Sequence, residues 1–465
     1  MPKNTCDNKI VLMKEFQVVV LAAGKGSRIS EITTGKPKCL LPIGPKPLVW
    51  YPLHKLQSSG FHDVILVVLE HQKTEIQSTL EKSDLEIKID YFTISDNEDL
   101  GTADSLRLIH DKLKSDVLVV SCDFISDVNL KGLLDQFRAN NASIASLLIQ
   151  PQGNETIIVP GPKSKHKPER DLIGVDTQTN RIVFLASASD FENEISLPVS
   201  LLNKHTSIKM YSNLTDSHIY VLKNWVIKYL KSEDSFTSLK GEVLPHIIKK
   251  QLGKPPKPMD TKESILNTKD SGDIFAYAKE DELELAIRKL SSFNDHTGDL
   301  KDVYHGDPIR CYAYIAPKDI FGVRVNTLAD YWSTNAKILD RWSRLTNSKE
   351  LTLKSSKAVI TSNQVDDKCI IWENAKLNEK TSFKNSIIGA NTEVKSFSRV
   401  FNSIVMNNVT IHEKVALENC IVCDGATIEN GCKIKGCIIG SNHVVSEESE
   451  HTSEVLTESD RLMEF

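Results

Sequence analysis

Between Ile371 and Val445 an apolar residue recurs at intervals of six, six and five, so the pattern closes on itself every seventeen residues. The positions are Ile371, Leu377, Phe383, Ile388, Val394, Val400, Val405, Ile411, Leu417, Val422, Ile428, Ile434, Ile439 and Val445. Residue types repeat with the spacing: Asn385-Ser386-Ile387-Ile388 returns as Asn402-Ser403-Ile404-Val405, Asn419-Cys420-Ile421-Val422 and Gly436-Cys437-Ile438-Ile439. An amphipathic helix needs an apolar residue every three or four positions, which this series does not supply. One in five or six fits a triangular coil, each side a short strand whose inward side chain stacks on its equivalent in the next turn. The spacing therefore predicts a left-handed parallel β-helix over residues 359–445, with about four to five coils. The acidic stretch 446–465 reads as a solvated tail.

Register also decides what the cysteines in this region do. Cys420 and Cys423 have Cys-x-x-Cys spacing, with Cys432 and Cys437 nearby, a pattern that invites zinc. Cys420 and Cys437 fall in the repeat slot held by Ser386 and Ser403, so they read as small coil residues and no metal is expected. His412 and His443 occupy unequal slots, which argues for surface histidines over acyl-transfer bases.

The first half has a different period. Strand-length apolar runs occur at Phe16 to Ala23, Asp63 to Leu69, Asp116 to Cys122 and Ala142 to Ile149, separated by amphipathic stretches such as Ala103 to Leu113 and Leu130 to Ala139. That alternation predicts an α/β domain, Rossmann-like, with a mostly parallel sheet covered by helices, over residues 16–345. Ligands of such sheets sit beyond the carboxyl ends of the strands. The loop after the first run is Gly24-Lys25-Gly26-Ser27-Arg28, where glycines let backbone N–H groups approach a phosphate and Arg28 and Lys38 supply positive charge. Gly-x-Gly alone describes many ordinary strand-to-helix turns.

At 465 residues two domains are expected. A formal net charge of -5 gives no footprint for nucleic acid. The first fifteen residues lack the pattern of a secretory signal, and no apolar run is long enough to span a membrane. Nine thinly spread cysteines argue for reduced thiols and a cytoplasmic protein. Residues 160–170 and 253–272, polar and proline-punctuated, read as exposed loops.

Leu21-Ala22-Ala23-Gly24-Lys25-Gly26-Ser27-Arg28, then Thr33, Pro37-Lys38, Leu40-Leu41-Pro42-Ile43 and Lys46-Pro47, resembles the signature of the sugar-1-phosphate nucleotidyltransferases in residue type and spacing. By that resemblance Gly24, Gly26, Arg28 and Lys38 would hold nucleotide phosphates, Gly101 and Thr102 would belong to the base-contacting loop, and Asp123 would be a magnesium ligand. The resemblance also marks departures. Arg324, in Phe321-Gly322-Val323-Arg324-Val325-Asn326-Thr327, stands where the family carries its second metal-binding aspartate. A guanidinium has no lone pair to offer and stays protonated. Kept in the aspartate's direction, ~4 Å from a divalent ion, it would cost on the order of 8 kcal/mol at an effective dielectric of ~20. The sugar-contacting Asn-Ala-Gly-Ile-Tyr appears as Asp216-Ser217-His218-Ile219-Tyr220, and the lysine-bearing Glu-Lys-Pro segment is replaced after Leu185 by Ala186-Ser187-Ala188-Ser189. These changes imply a vestigial nucleotide site without catalysis or cofactor. The alternative is an active transferase of the mannose-1-phosphate guanylyltransferase type.

Taken whole, the chain resembles the nucleotidyltransferase-like subunits of eukaryotic translation initiation factor 2B, carried by Ser121-Cys122-Asp123-Phe124-Ile125-Ser126-Asp127-Val128, the Arg324 segment and the terminal Leu462-Met463-Glu464-Phe465. It stops too early for the C-terminal helical-repeat domain of the longer, epsilon subunit. The resemblance implies a supporting role in guanine-nucleotide exchange on initiation factor 2. The implied partners are the epsilon subunit and, through it, the alpha, beta and delta subunits.

Overall fold

Each of the four apolar runs forms a strand in the computed structural model: Phe16–Leu21, Asp63–Leu69, Asp116–Ser121 and Ile144–Ile149. The structure describes residues 15–96, 100–151, 158–162, 170–187, 190, 195–253, 273–279, 283, 286, 307–346 and 351–457. The basic run 163–167, most of the 253–272 stretch, Ala188-Ser189 and the terminal 462–465 segment lie outside the described residues. Among those described, no helix is long and apolar enough to cross a membrane.

The chain divides into two compact units, one of Met1–Ala23, Leu56–Gln152 and Lys167–Gly322, the other of Gly24–Lys55, Gly153–His166 and Val323–Phe465. In the first unit seven strands form one sheet. Asp116–Ser121 lies at its centre, and Phe16–Leu21 beside it is parallel to both Asp63–Leu69 and Asp116–Ser121. Lys88–Ile94 extends it in parallel beyond Asp63–Leu69. On the other side Thr215–Leu222 is antiparallel to both neighbours, and Cys311–Ile315 is parallel to Ile144–Ile149. The sheet is mostly parallel, with near-continuous burial along its central strands, as strands covered on both faces require. The predicted amphipathic stretches form the helices Thr102–Leu108 and Leu130–Ala139.

The second unit contains the repeat. Three parallel six-stranded sheets are the walls of the predicted β-helix. Most neighbouring strands pair at an offset of seventeen, as in Lys376↔Glu393, Arg399↔Ala416 and Ile404↔Ile421. All fourteen apolar positions of the sequence series lie in one buried core. Six strands in each wall exceed the predicted four to five coils, because the ends hide from an apolar scan. The first coil, with Val359–Ile360 and Gln364–Val365, pairs one wall at an offset of eighteen. The last coil places His451 where earlier coils carry Phe383, Val400, Leu417 and Ile434. Strands Glu450–Thr452 and Val455–Leu456 thus lie in what the sequence assigns to a solvated tail from residue 446, and the coil runs beyond Val445.

Corners need left-handed backbone, and three residues of each coil after the first supply it. Fifteen corner residues from Asn374 to Ser453 have φ between +44° and +72°. Asn and Gly dominate because they adopt that region at least cost. Phe397, at φ +65°, is a strained exception, 52% exposed, its ring 5.0 Å from the Lys380 ammonium. Phe397→Asn is expected to stabilise the protein by roughly 0.5–1 kcal/mol, relief of strain outweighing a weak exposed cation–π contact. Equilibrium urea unfolding measures the change.

The doublets Ile387-Ile388, Ile404-Val405, Ile421-Val422 and Ile438-Ile439 make one wall apolar on both faces. Their first members point outward, yet all are buried. The helix Leu328–Thr346 and the Gly24–Lys55 segment share this unit. Trp332, Ala336 and Leu339 line a groove with Ile370, Ile387 and Ile404. Trp342 stacks on Trp50 at 5.9 Å and 9°, and Asn335 accepts the Gly44 N–H through Oδ1 at 2.8 Å while its Nδ2 donates to Pro42 O. Apolar contact with the outward isoleucines and hydrogen bonds to Gly44 and Pro42 place this helix in the second compact unit, together with the Gly24–Lys55 segment.

Candidate nucleotide-binding site

A strand that ends at Leu21 must turn before the chain can cover the sheet, and the turn is the glycine loop. Gly26 has φ +74° and precedes the short helical turn Ser27–Ile29. A Cβ there would sit 3.0 Å from Thr33 Cγ2 and 3.4 Å from Lys38 Cβ, and the Thr33 hydroxyl donates to Gly26 O at 3.3 Å and Ile29 O at 3.1 Å. Local packing thus gathers three signature positions, Gly26, Thr33 and Lys38. Gly24 differs: it is exposed, and among the described residues no atom lies within 4 Å of a Cβ built on it. Nothing described in the chain needs that side of Gly24 clear. Arg28 is exposed, and Lys38, partly exposed, opens the turn Lys38–Leu40. Leu40, Leu41, Pro42 and Ile43 are buried and serve packing.

In the sheet unit, Gly101 and Thr102 lie at the start of the helix Thr102–Leu108. The Gly101 N–H donates to Asp104 Oδ2 at 2.9 Å, Ala103 N–H donates to Thr237 O at 2.8 Å, and Thr102 Oγ1 accepts the Leu239 N–H at 2.8 Å. A Cβ on Gly101 would lie 2.1 Å from Thr237 O, so glycine is required there for close backbone approach. Arg107 ties the same region down, donating to Leu230 O, Glu233 O and Phe236 O at 2.8 Å each. This internal role of the loop is not visible in its sequence.

Asp123 sits in the turn between Asp116–Ser121 and Phe124–Ser126, is buried, and accepts the Ser121 hydroxyl at 2.7 Å. The following residues clip the chain just before the Arg324 segment. Ser126 donates to Phe321 O at 2.6 Å, Asp127 Oδ1 accepts the Phe321 N–H at 2.8 Å, and a Cβ on Gly322 would meet Ile149 Cδ1 at 2.6 Å. Arg324 ends the strand Gly322–Arg324 in the second unit and is half-buried.

His218 has a left-handed backbone, φ +54°, the conformation that favours glycine, at a break in register between Asp216 and Tyr220. Asp216 stabilises that bend, accepting the His218 N–H and the Tyr220 hydroxyl at 2.8 Å each. A glycine at this position would leave free the space that the His218 imidazole occupies.

Another polar cluster in the sheet unit escapes sequence reading because its members are far apart. Arg181 Nη1 pairs with Asp307 Oδ2 at 3.0 Å, Lys204 Nζ with Asp307 Oδ1 at 2.5 Å, and His205 Nδ1 with Asp176 Oδ2 at 2.9 Å. Burial holds the His205 imidazole below its ordinary basicity, aided by the Arg181 and Lys204 charges and opposed by its bond to Asp176. The unfolded chain therefore binds more protons than the folded one between the folded value and about 6.5. This contribution is complete above about pH 6.5 and is lost as pH falls through the folded value. Urea midpoints are expected to drop from pH 7 to 5.5, and His205→Asn to flatten that part of the profile.

The β-helix cysteines are packing residues. Cys420 Sγ donates to Glu418 O at 3.2 Å and Ile434 O at 3.4 Å, as Ser386 Oγ donates to Lys384 O and Val400 O in the equivalent slot. Cys423 Sγ instead points to Glu31 O at 3.7 Å. Burial pushes both thiols up to about 12. Maleimide labelling followed by mass spectrometry at pH 8 is expected to leave Cys420 and Cys423 unmodified in folded protein and to modify them in urea; fast native labelling would contradict this placement. Among the described residues, no three His, Cys, Asp or Glu side chains are grouped to hold a metal ion.

Comparison with known proteins separates the two folds and then joins them. Residues 17–157 match the Nucleotidyl transferase family, and residues 350–451 match the EIF2B subunit epsilon LbH domain. The chain is 29% identical over 377 residues to translation initiation factor eIF2B subunit gamma of Schizosaccharomyces pombe, covering 80% of this chain and 73% of that protein. It is 25% identical over 214 residues to the epsilon subunit from the same organism, covering 45% of this chain and 31% of that protein. Likeness to mannose-1-phosphate guanyltransferase of Candida albicans is 30% over 128 residues, covering 27% of this chain and 35% of that enzyme.

Proposed function

We infer that this chain works as the gamma-type subunit of translation initiation factor eIF2B. The carrying observation is the extent of the likeness: it spans four-fifths of the chain for an eIF2B gamma subunit and about a quarter for a guanyltransferase. The subunit pairs with epsilon and, through it, with the alpha, beta and delta subunits in the cytosol, supporting nucleotide exchange on initiation factor 2.

Within that assembly the nucleotidyltransferase-like domain is a scaffold and performs no transfer. The residues present do not fit the magnesium ion its family uses: Asp123 remains, but a guanidinium stands at position 324, and hard divalent cations take oxygen ligands. Purified chain incubated with GTP, mannose 1-phosphate and magnesium is expected to release no pyrophosphate. Turnover would overturn the scaffold reading and restore the transferase alternative. The open side of Gly24 favours a second reading, nucleotide binding without reaction. Calorimetry with GTP, ATP and GDP-mannose tests it, with Arg28→Ala as control; no heat with any of them would remove it.

A further inference from the structure

We propose that the β-helix fixes the conformation of the glycine loop in this chain, through an ion pair between Lys36 and Asp424. The inference concerns this chain alone and does not depend on which partner it serves. Lys36 lies two residues before Lys38 in the Gly24–Lys55 segment, and Asp424 lies at a corner of the β-helix within the same compact unit. Lys36 Nζ donates to Asp424 Oδ2 at 2.8 Å, with the two side chains 6% and 23% exposed. Asp424 is itself held in place, since its Oδ1 accepts the Asn407 N–H from the preceding coil at 2.8 Å.

Two further bonds flank the pair. The Ser441 hydroxyl donates to Thr34 O at 2.6 Å, and Cys423 Sγ donates to Glu31 O at 3.7 Å. Residues 31 to 36 are thereby held at three points by two successive coils, and the same residues pack under Gly26 through Thr33. A phosphate loop that clamps and releases substrate belongs to the easily opened part of a structure. Here the loop is anchored to a stacked element with a buried core by a poorly exposed charge pair, and removing one partner strands the other charge away from water. The loop is thus built to hold its shape with no nucleotide present.

Amide hydrogen exchange on the full-length chain tests this, using Lys36→Met, Asp424→Asn and the double variant. Each single change is expected to speed exchange of residues 27–38 about tenfold, leaving the coil strands at 387–388 and 404–405 unchanged. The double variant should be no faster than either single one, because the pair acts as a unit. Lys36→Arg, which keeps the charge, should remain near the parent. Unchanged loop exchange in the single variants, equal loosening of the coil strands, or multiplicative effects in the double variant would each overturn the proposal.

Discussion

Arg181→Met is expected to lower the stability of the sheet unit by about 3–5 kcal/mol, among the largest effects available to one substitution in this chain. Arg181 is 0% exposed, pairs with Asp307 at 3.0 Å, and donates to Ile309 O through Nη2 at 3.3 Å. It joins the turn before Ile182–Ser187 to the entry of the edge strand Cys311–Ile315. Removing the guanidinium leaves Asp307 with Lys204 and the Ile309 carbonyl without this donor, so the cost comes from stranded polar groups more than from lost attraction. Arg181→Met with Asp307→Leu and Lys204→Met, which removes all three charges together, should therefore recover a large part of the loss. A urea midpoint for the triple variant as low as for the single one would show that the charge cluster is not the source.

Val405→Asp is the counterpart in the β-helix. Val405 is fully buried, paired in register with Ile388 on one side and Val422 on the other. A carboxylate there faces an apolar stack, and the expected cost exceeds about 4 kcal/mol. Stability in stacked repeats is close to a sum of neighbour terms, so a break in the middle separates the coils before it from those after. Limited proteolysis should then cut between the flanking coils. Thr410→Asp, on the partly exposed outward side of the adjacent wall, should cost less than about 0.5 kcal/mol.

That contrast also shows why the β-helix was legible. Inward positions such as Val405 carry a seventeen-residue signal because each stacks on the same position in the next coil, and the strand Asp63–Leu69 is a continuous apolar run from Val64 because both its faces are covered. The outward isoleucines are written just as openly, in the doublets, but a list confined to one apolar residue per side passes over them. An Ile-Ile or Ile-Val pair in a two-residue strand signals a wall covered on both faces, and it marks where the helix Leu328–Thr346 packs. The end coils were illegible because His451 breaks the apolar series.

The site was legible in part. The signature locates Gly26 and Lys38 beside Thr33, but it does not distinguish Gly24, whose side is open, from Gly101, which is glycine because Thr237 O leaves no room for a side chain. Lys36 and Asp424 are 388 positions apart, and no local pattern announces their pairing. The same holds for Arg181 and Asp307, separated by 126. Long-range charge pairs are set by topology, and they carry the sharpest predictions here.

A nucleotidyltransferase-like domain that builds an exchange-factor subunit should be found in cells with the other subunits of that factor. Affinity purification of the tagged full-length chain from its own cells, with mass-spectrometric identification of what remains bound at moderate salt, is the decisive measurement. An eIF2B epsilon subunit is expected in near-stoichiometric amount, with the alpha, beta and delta subunits accompanying it. A chain that returns alone, or with sugar-nucleotide enzymes and without epsilon, would contradict that expectation.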